Sequence, residues 1–246
     1  MRRQQTVWWM VIAGLSAVLW VLGVAWNRHG SAYRVWQAEA QQPPTSLPKY
    51  NPPLRGAPLS RVGSGTRAPG EAVPVLSVFA PRDHAGRTTQ EQPRLYWYLS
   101  QTTTSPLLIT LAERRGIKPL LEVQLAPPVA AGVHRLQVAD YDVRLSPNVL
   151  YQWAITLILD PDNPSRNLVE VGAIEYVSPS DALRARLAPA SKQDTAAVYA
   201  AEGIWYDAVT TLSELIAAAP ETTLRQQRAT LLEQVGLMEA ATYDRQ

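Results

Sequence analysis

The side chains that could do chemistry in this sequence are few and widely spaced. The three histidines are His29, His84 and His134, and no serine stands in a Gly-x-Ser-x-Gly elbow. No local motif therefore brings a nucleophile, a base and an orienting acid together. The chain has no cysteine, which excludes a disulfide framework, a thiolate metal site and a thiol nucleophile. Asp160-Pro161-Asp162-Asn163 begins like a calcium loop but lacks the glycine at the sixth position and the glutamate at the twelfth, so it reads as a hairpin turn. Asp140 and Asp142 are a carboxylate pair, and glycoside hydrolysis needs two carboxyls about 5 to 10 Å apart. With Tyr141 on the opposite side, they read instead as a solvent-facing strand edge. Gly63 and Gly65 follow no strand, so they do not make a phosphate-cradling turn. The expectation is no catalytic, metal-binding or cofactor-binding residue and no cofactor.

Aromatic side chains are the richer signal. Tyr96, Tyr98, Tyr141, Tyr151 and Trp153 fall in segments of strand periodicity, Trp205 and Tyr206 in a segment of helical periodicity. Trp153 and Trp205 sit in core positions of their patterns. Tyr206 lies one residue on from Trp205, about 100° round a helix, and Tyr96 and Tyr98 lie on the parity opposite Leu95, Trp97 and Leu99. These three tyrosines are the expected partner-binding residues.

The elements that would carry them follow from two periods. Leu95, Trp97 and Leu99, then Leu121, Val123 and Leu125, then Tyr151, Trp153, Ile155, Leu157 and Leu159 alternate with polar or outward positions, the mark of strands with one buried face. With 75–80, 107–111, 133–138 and the strand through Val169, Val171, Ile174 and Tyr176, about seven short strands span residues 75–177. That number fits an antiparallel, immunoglobulin-like β-sandwich. Valines at 169 and 171 and the apolar pair at 174 and 176 are on opposite parities, so Gly172 is expected to mark a bulge. Beyond residue 178 the period becomes helical. Ala196, Tyr199 and Ala200 form one stripe and Trp205, Ala208, Val209, Leu212, Leu215 and Ile216 a second, with Gly203 at the turn, where a left-handed conformation suits glycine. This pair looks like one tetratricopeptide-type hairpin, and Leu224, Leu231, Leu232, Val235 and Leu237 would form a capping helix over it. The fold class expected is α+β.

Before the strands come two further segments. Arg2 and Arg3 precede an apolar run from Val7 to Trp26 with tryptophans near both ends, long enough to span a membrane and placed to leave the amino terminus cytoplasmic. Small-residue patterns at Gly30-Ser31-Ala32 and Ala38-Glu39-Ala40 keep a cleaved export signal open. Residues 27–74 are rich in proline and glycine and read as an extended basic linker. Net charge is +7 over residues 1–87, −2 over 88–177 and −3 over 178–246, which a total of +2 conceals. Such a basic arm can be solvated, touch an anionic surface, or dock on the acidic body. The domains expected are therefore 1–26, 27–74, 75–177 and 178–246.

RGAPLSRVGSGTR (55–67), PRLYWYLS (93–100), YQWAITLILDPDNPSRNLVEVGAIEYV (151–177) and YAAEGIWYDAVTTLSEL (199–215) together resemble the bacterial, mostly cyanobacterial, family catalogued as domain of unknown function 928. The resemblance implies an exported, envelope-located protein and supplies no activity. It also implies two cysteines that this chain lacks, one of them at the position of Leu159. The functional expectation is a non-enzymatic interaction or scaffold protein. It would be anchored in the inner membrane by its amino-terminal helix, or be periplasmic or secreted after signal cleavage. Its partner would be an envelope or membrane protein and not nucleic acid; a carbohydrate or cell-wall binding module is the alternative.

Overall fold

In the computed structural model, residues 47–53 and 73–246 are described, and they fall in one compact unit, Thr45–Gln246. The apolar run Val7–Trp26 and most of the basic linker lie outside them. Among the described residues eight strands and five α-helices follow one another, so the α+β expectation holds.

Strands β1 (Leu76–Val78), β3 (Arg94–Leu99) and β6 (Gly132–Gln137) form one sheet in the order β1-β3-β6. A second sheet contains β2 (Gly86–Thr88), β4 (Leu107–Glu113), β5 (Leu121–Leu125), β7 (Leu150–Leu157) and β8 (Leu168–Tyr176), ordered β2-β8-β7-β4-β5. The alternation that revealed β7 now has its cause: Leu157, Ile155 and Trp153 pair with Leu107, Ile109 and Leu111 of β4 across the ladder, and all six are fully buried. Side chains from both sheets share one apolar core. β3 buries both of its faces, Leu95, Trp97 and Leu99 on one and Tyr96 and Tyr98 on the other.

Two expectations need correction. The pairing is not antiparallel throughout, because β2 runs parallel to β8, with Gly86 opposite Ile174. Three residues are too few to display a period, so this strand left no trace in the sequence. Gly172 is not a bulge: β7 and β8 pair residue for residue, with Trp153 opposite Gly172. The change of parity has a packing cause. A Cβ on Gly172 would stand 2.6 Å from Trp153 Nε1 and 2.7 Å from the Ala80 Cβ, so glycine vacates the space the indole fills.

Helices α1 (Asp181–Leu187) and α2 (Lys192–Ala201) start at serine caps, Ser180 accepting from Leu183 N and Ser191 from Asp194 N. Helix α3 (Trp205–Ala218) turns back from α2 at Gly203, φ +73°. There Ile204 N donates to Tyr199 O and Gly203 N to Ala200 O, which satisfies the last carbonyls of α2. The same closure recurs at Gly236, φ +79°, between α4 (Thr222–Gln234) and α5 (Met238–Asp244). α5 is fastened to α4 by a buried pair, Arg228 giving Nε to Asp244 Oδ2 at 2.7 Å and Nη2 to Oδ1 at 2.5 Å. The helices cover the outer side of β3, where Tyr98 packs on Tyr243 at 5.1 Å and Arg94 pairs with Glu214 at 2.6 Å.

Candidate functional site: a clamp for an extended segment

The stretch Leu47–Pro53, expected to be part of the linker, lies against the helices. Tyr50 N donates to Gln234 Oε1 at 2.8 Å, and Gln234 Nε2 donates back to Pro48 O at 2.9 Å, so one amide side chain on α4 holds two backbone groups of the segment. Asn51 N donates to Ala200 O at 3.0 Å and Asn51 Nδ2 to Ala201 O at 2.9 Å, both on the last turn of α2. Helix ends carry carbonyls with no partner inside the helix; here Asn51 gives Ala201 O a donor, and gives Ala200 O, which already accepts from Gly203 N, a second one. Gly203 makes this approach possible, since a Cβ there would stand 2.7 Å from Asn51 O. Residues 47–49 continue past Gln234 along an open depression of about 400 Å³, whose far wall is Thr230 and Glu233.

The ring of Tyr50 is the anchor, 6% exposed and meeting Trp205 edge-on at 5.0 Å. Its hydroxyl reaches His84 Nε2 at 2.8 Å, and His84 Nδ1 reaches Asp83 Oδ1 at 2.7 Å. A carboxylate only accepts, so Nδ1 carries the ring proton and Nε2 accepts from the phenol. Burial pushes the Tyr50 hydroxyl well above its ordinary pKa, with Arg87 opposing, and it remains a donor. An acid, an imidazole and a hydroxyl thus stand in line, but the tyrosine and the histidine are both buried, 6% and 9% exposed. What the line does is fix the segment. Among the described residues no three His, Asp or Glu side chains are grouped as metal ligands.

The tyrosines expected to meet a partner are all inside. Tyr206 is 2% exposed; it accepts from Trp153 Nε1 and donates to Ala173 O, each at 2.9 Å, which ties α3 to the second sheet. Burial raises its pKa too. The helical wheel put it 100° from Trp205 correctly, but β2 closes over that side: a Cβ on Gly86 would stand 2.7 Å from the Tyr206 ring and 3.1 Å from Trp205. Tyr96 and Tyr98 are 5% and 8% exposed because the helices cover β3. Trp205, fully buried, donates Nε1 to Phe79 O at 2.9 Å. Asp140 lies in a short 3-10 turn, Val138–Tyr141, closed by Asp142 at φ 55°, and not on a strand. Asp160 to Asn163 make the β7–β8 turn, with Asp162 N bonded to Asp160 Oδ1 at 3.0 Å. Tyr50, Gln234 and His84 were missed as a set; the one signal for them was a tyrosine amid prolines, Pro48-Lys49-Tyr50-Asn51-Pro52-Pro53.

The sequence model described as Domain of Unknown Function (DUF928) matches residues 62–244. The chain belongs to this family. The DUF928 match takes in all eight strands and all five helices but starts after the clamped segment, so Tyr50 lies outside it while His84, Gly203 and Gln234 lie within. Comparison with curated proteins finds no match.

Proposed function

We propose that this DUF928 protein is a non-enzymatic interaction protein of the cell envelope, whose helical region receives an extended polypeptide segment. The observation that carries the reading is the clamp itself. Backbone carbonyls of α2, the two-way amide of Gln234 and an aromatic socket beside Trp205 hold residues 47–53 as a peptide-binding module holds a ligand, by main-chain bonds plus one anchoring ring. The α2–α3 pair is taken as a tetratricopeptide-type hairpin with α4 as its cap, set beside an immunoglobulin-like sandwich. The apolar run Val7–Trp26 tethers the body to the inner membrane, with the body outside the cytoplasm. The partner is an envelope or membrane protein offering an extended segment in place of residues 47–53. The carbohydrate reading keeps an exposed ring in Tyr141, 42% exposed, but loses Tyr96, Tyr98 and Tyr206, which are buried.

Pull-down from membrane extracts, run beside sedimentation with peptidoglycan and polysaccharide, tests this. Protein capture that rises in Tyr50→Ala and falls in Gln234→Ala is expected. Retention on the polymers with no dependence on either residue would replace this reading with a wall-binding one.

A further inference from the structure

The β4–β5 hairpin ends in Arg114-Arg115-Gly116-Ile117-Lys118-Pro119-Leu120, and every one of these residues is exposed. Ile117 is 100% exposed and Leu120 43%. None of the side chains of Arg114, Arg115 and Lys118 has an ion-pair or hydrogen-bond partner among the described residues. The nearest acids along the hairpin, Glu113 and Glu122, sit below the tip within the strands. The tip is closed by its own backbone, Gly116 N donating to Glu113 O at 2.8 Å and Leu120 N to Leu111 O at 2.7 Å. β5 is an outer strand of its sheet, while α3 and the clamp lie at the β2 edge, four strands away.

An isolated exposed aliphatic residue is ordinary. Here the fully exposed isoleucine is the apex of a closed turn and three unpaired cations surround it. Cations that attract an anionic surface, with an aliphatic side chain to enter it, are the composition of interfacial membrane segments. Nucleic acid and acidic polymers use cations but have no place for a bare Ile117, and the tip has no ring on which a base could stack. We infer that the β4–β5 hairpin tip is a membrane-surface contact that takes anionic lipid headgroups with Arg114, Arg115 and Lys118 and inserts Ile117 among the acyl chains. A bilayer met at this edge leaves the clamp at the opposite edge open to a partner.

The absence of cysteine makes the tip individually addressable. The full chain carrying Ile117→Cys, labelled with bimane, is mixed with vesicles of phosphatidylcholine alone or of phosphatidylcholine and phosphatidylglycerol, each containing nitroxide lipids. A second sample carries the label at Asp162→Cys in the β7–β8 turn. Expected are quenching at 117 in the anionic vesicles alone, reversal by salt, none at 162, and loss of apparent affinity on the order of 100-fold when the three cations become glutamate. An unquenched label, quenching equal in neutral vesicles, or a response only to soluble polyphosphate would overturn the inference. Vesicle flotation with a silent 117 label would overturn it while leaving tethering through Val7–Trp26 intact.

Discussion

At the scale of single residues, two buried tryptophans of similar exposure differ in one atom. Trp153 Nε1 donates to the Tyr206 hydroxyl, whereas Trp97 Nε1 is the buried side-chain polar atom left without a partner among the described residues, its ring stacked on His134 at 5.4 Å. Replacing either with phenylalanine removes comparable volume. Only at 153 does it remove a bond and leave the Tyr206 hydroxyl short of a donor. Trp153→Phe should therefore cost about 1–3 kcal/mol more than Trp97→Phe in denaturant unfolding. Asp207, at the start of α3, is held by Thr89 N at 3.0 Å and Thr89 Oγ1 at 2.6 Å, which pins the helix to the residue after β2. Burial nevertheless pushes its carboxyl above the usual range, outweighing those bonds. The folded form then keeps the proton at pH values where the unfolded chain has lost it. Its contribution to stability accordingly falls as pH rises from the ordinary carboxylate range through the raised value, and is level above that. Asp207→Asn does not titrate, so the stability of the variant relative to the parent should climb across that window in a pH series of urea melts.

At the scale of elements, the clamped segment behaves as a sixth member of the helical layer, beside α1 to α5. Its contacts are one buried ring and a handful of backbone bonds, so it should release before the sheets or helices open. Tyr50→Ala should free it, and trypsin should then cut at Lys49 at low protease while the remainder stays intact. Gly203→Ala should do the same and also strain the α2–α3 turn, because both the positive φ and the 2.7 Å approach of Asn51 O forbid a Cβ there. Unchanged cleavage at Lys49 in both variants would remove the clamp from the account. The segment was not legible in the sequence because proline-rich chain reads as a spacer, and nothing within residues 47–53 reveals that Gln234 and Ala200 wait elsewhere. The seven expected strands were legible because each alternates over five or more positions or ends in a turn signal. β2 and the socket around Tyr206 were not, since a helical wheel shows which side faces a first neighbour and not that a second element closes the other side.

At the scale of the whole molecule, sheets and helices are joined through aromatic hydroxyls and indoles, Trp205 to Phe79 O and Tyr206 to Trp153 and Ala173. The helical region is therefore continuous with the core. The central claim is that this helical layer is a receptor for an extended segment, filled here by the chain's own residues. A fluorescent heptapeptide with the sequence of residues 47–53, Leu-Pro-Lys-Tyr-Asn-Pro-Pro, titrated into full-length Tyr50→Ala protein, measures it most directly. The account predicts saturable binding that is lost when the peptide's tyrosine is alanine or when Gln234→Ala is added. The unsubstituted protein should bind at least about ten-fold more weakly, because its own segment competes at a high effective concentration. Failure of a cooperatively melting Tyr50→Ala protein to bind the peptide would contradict the claim.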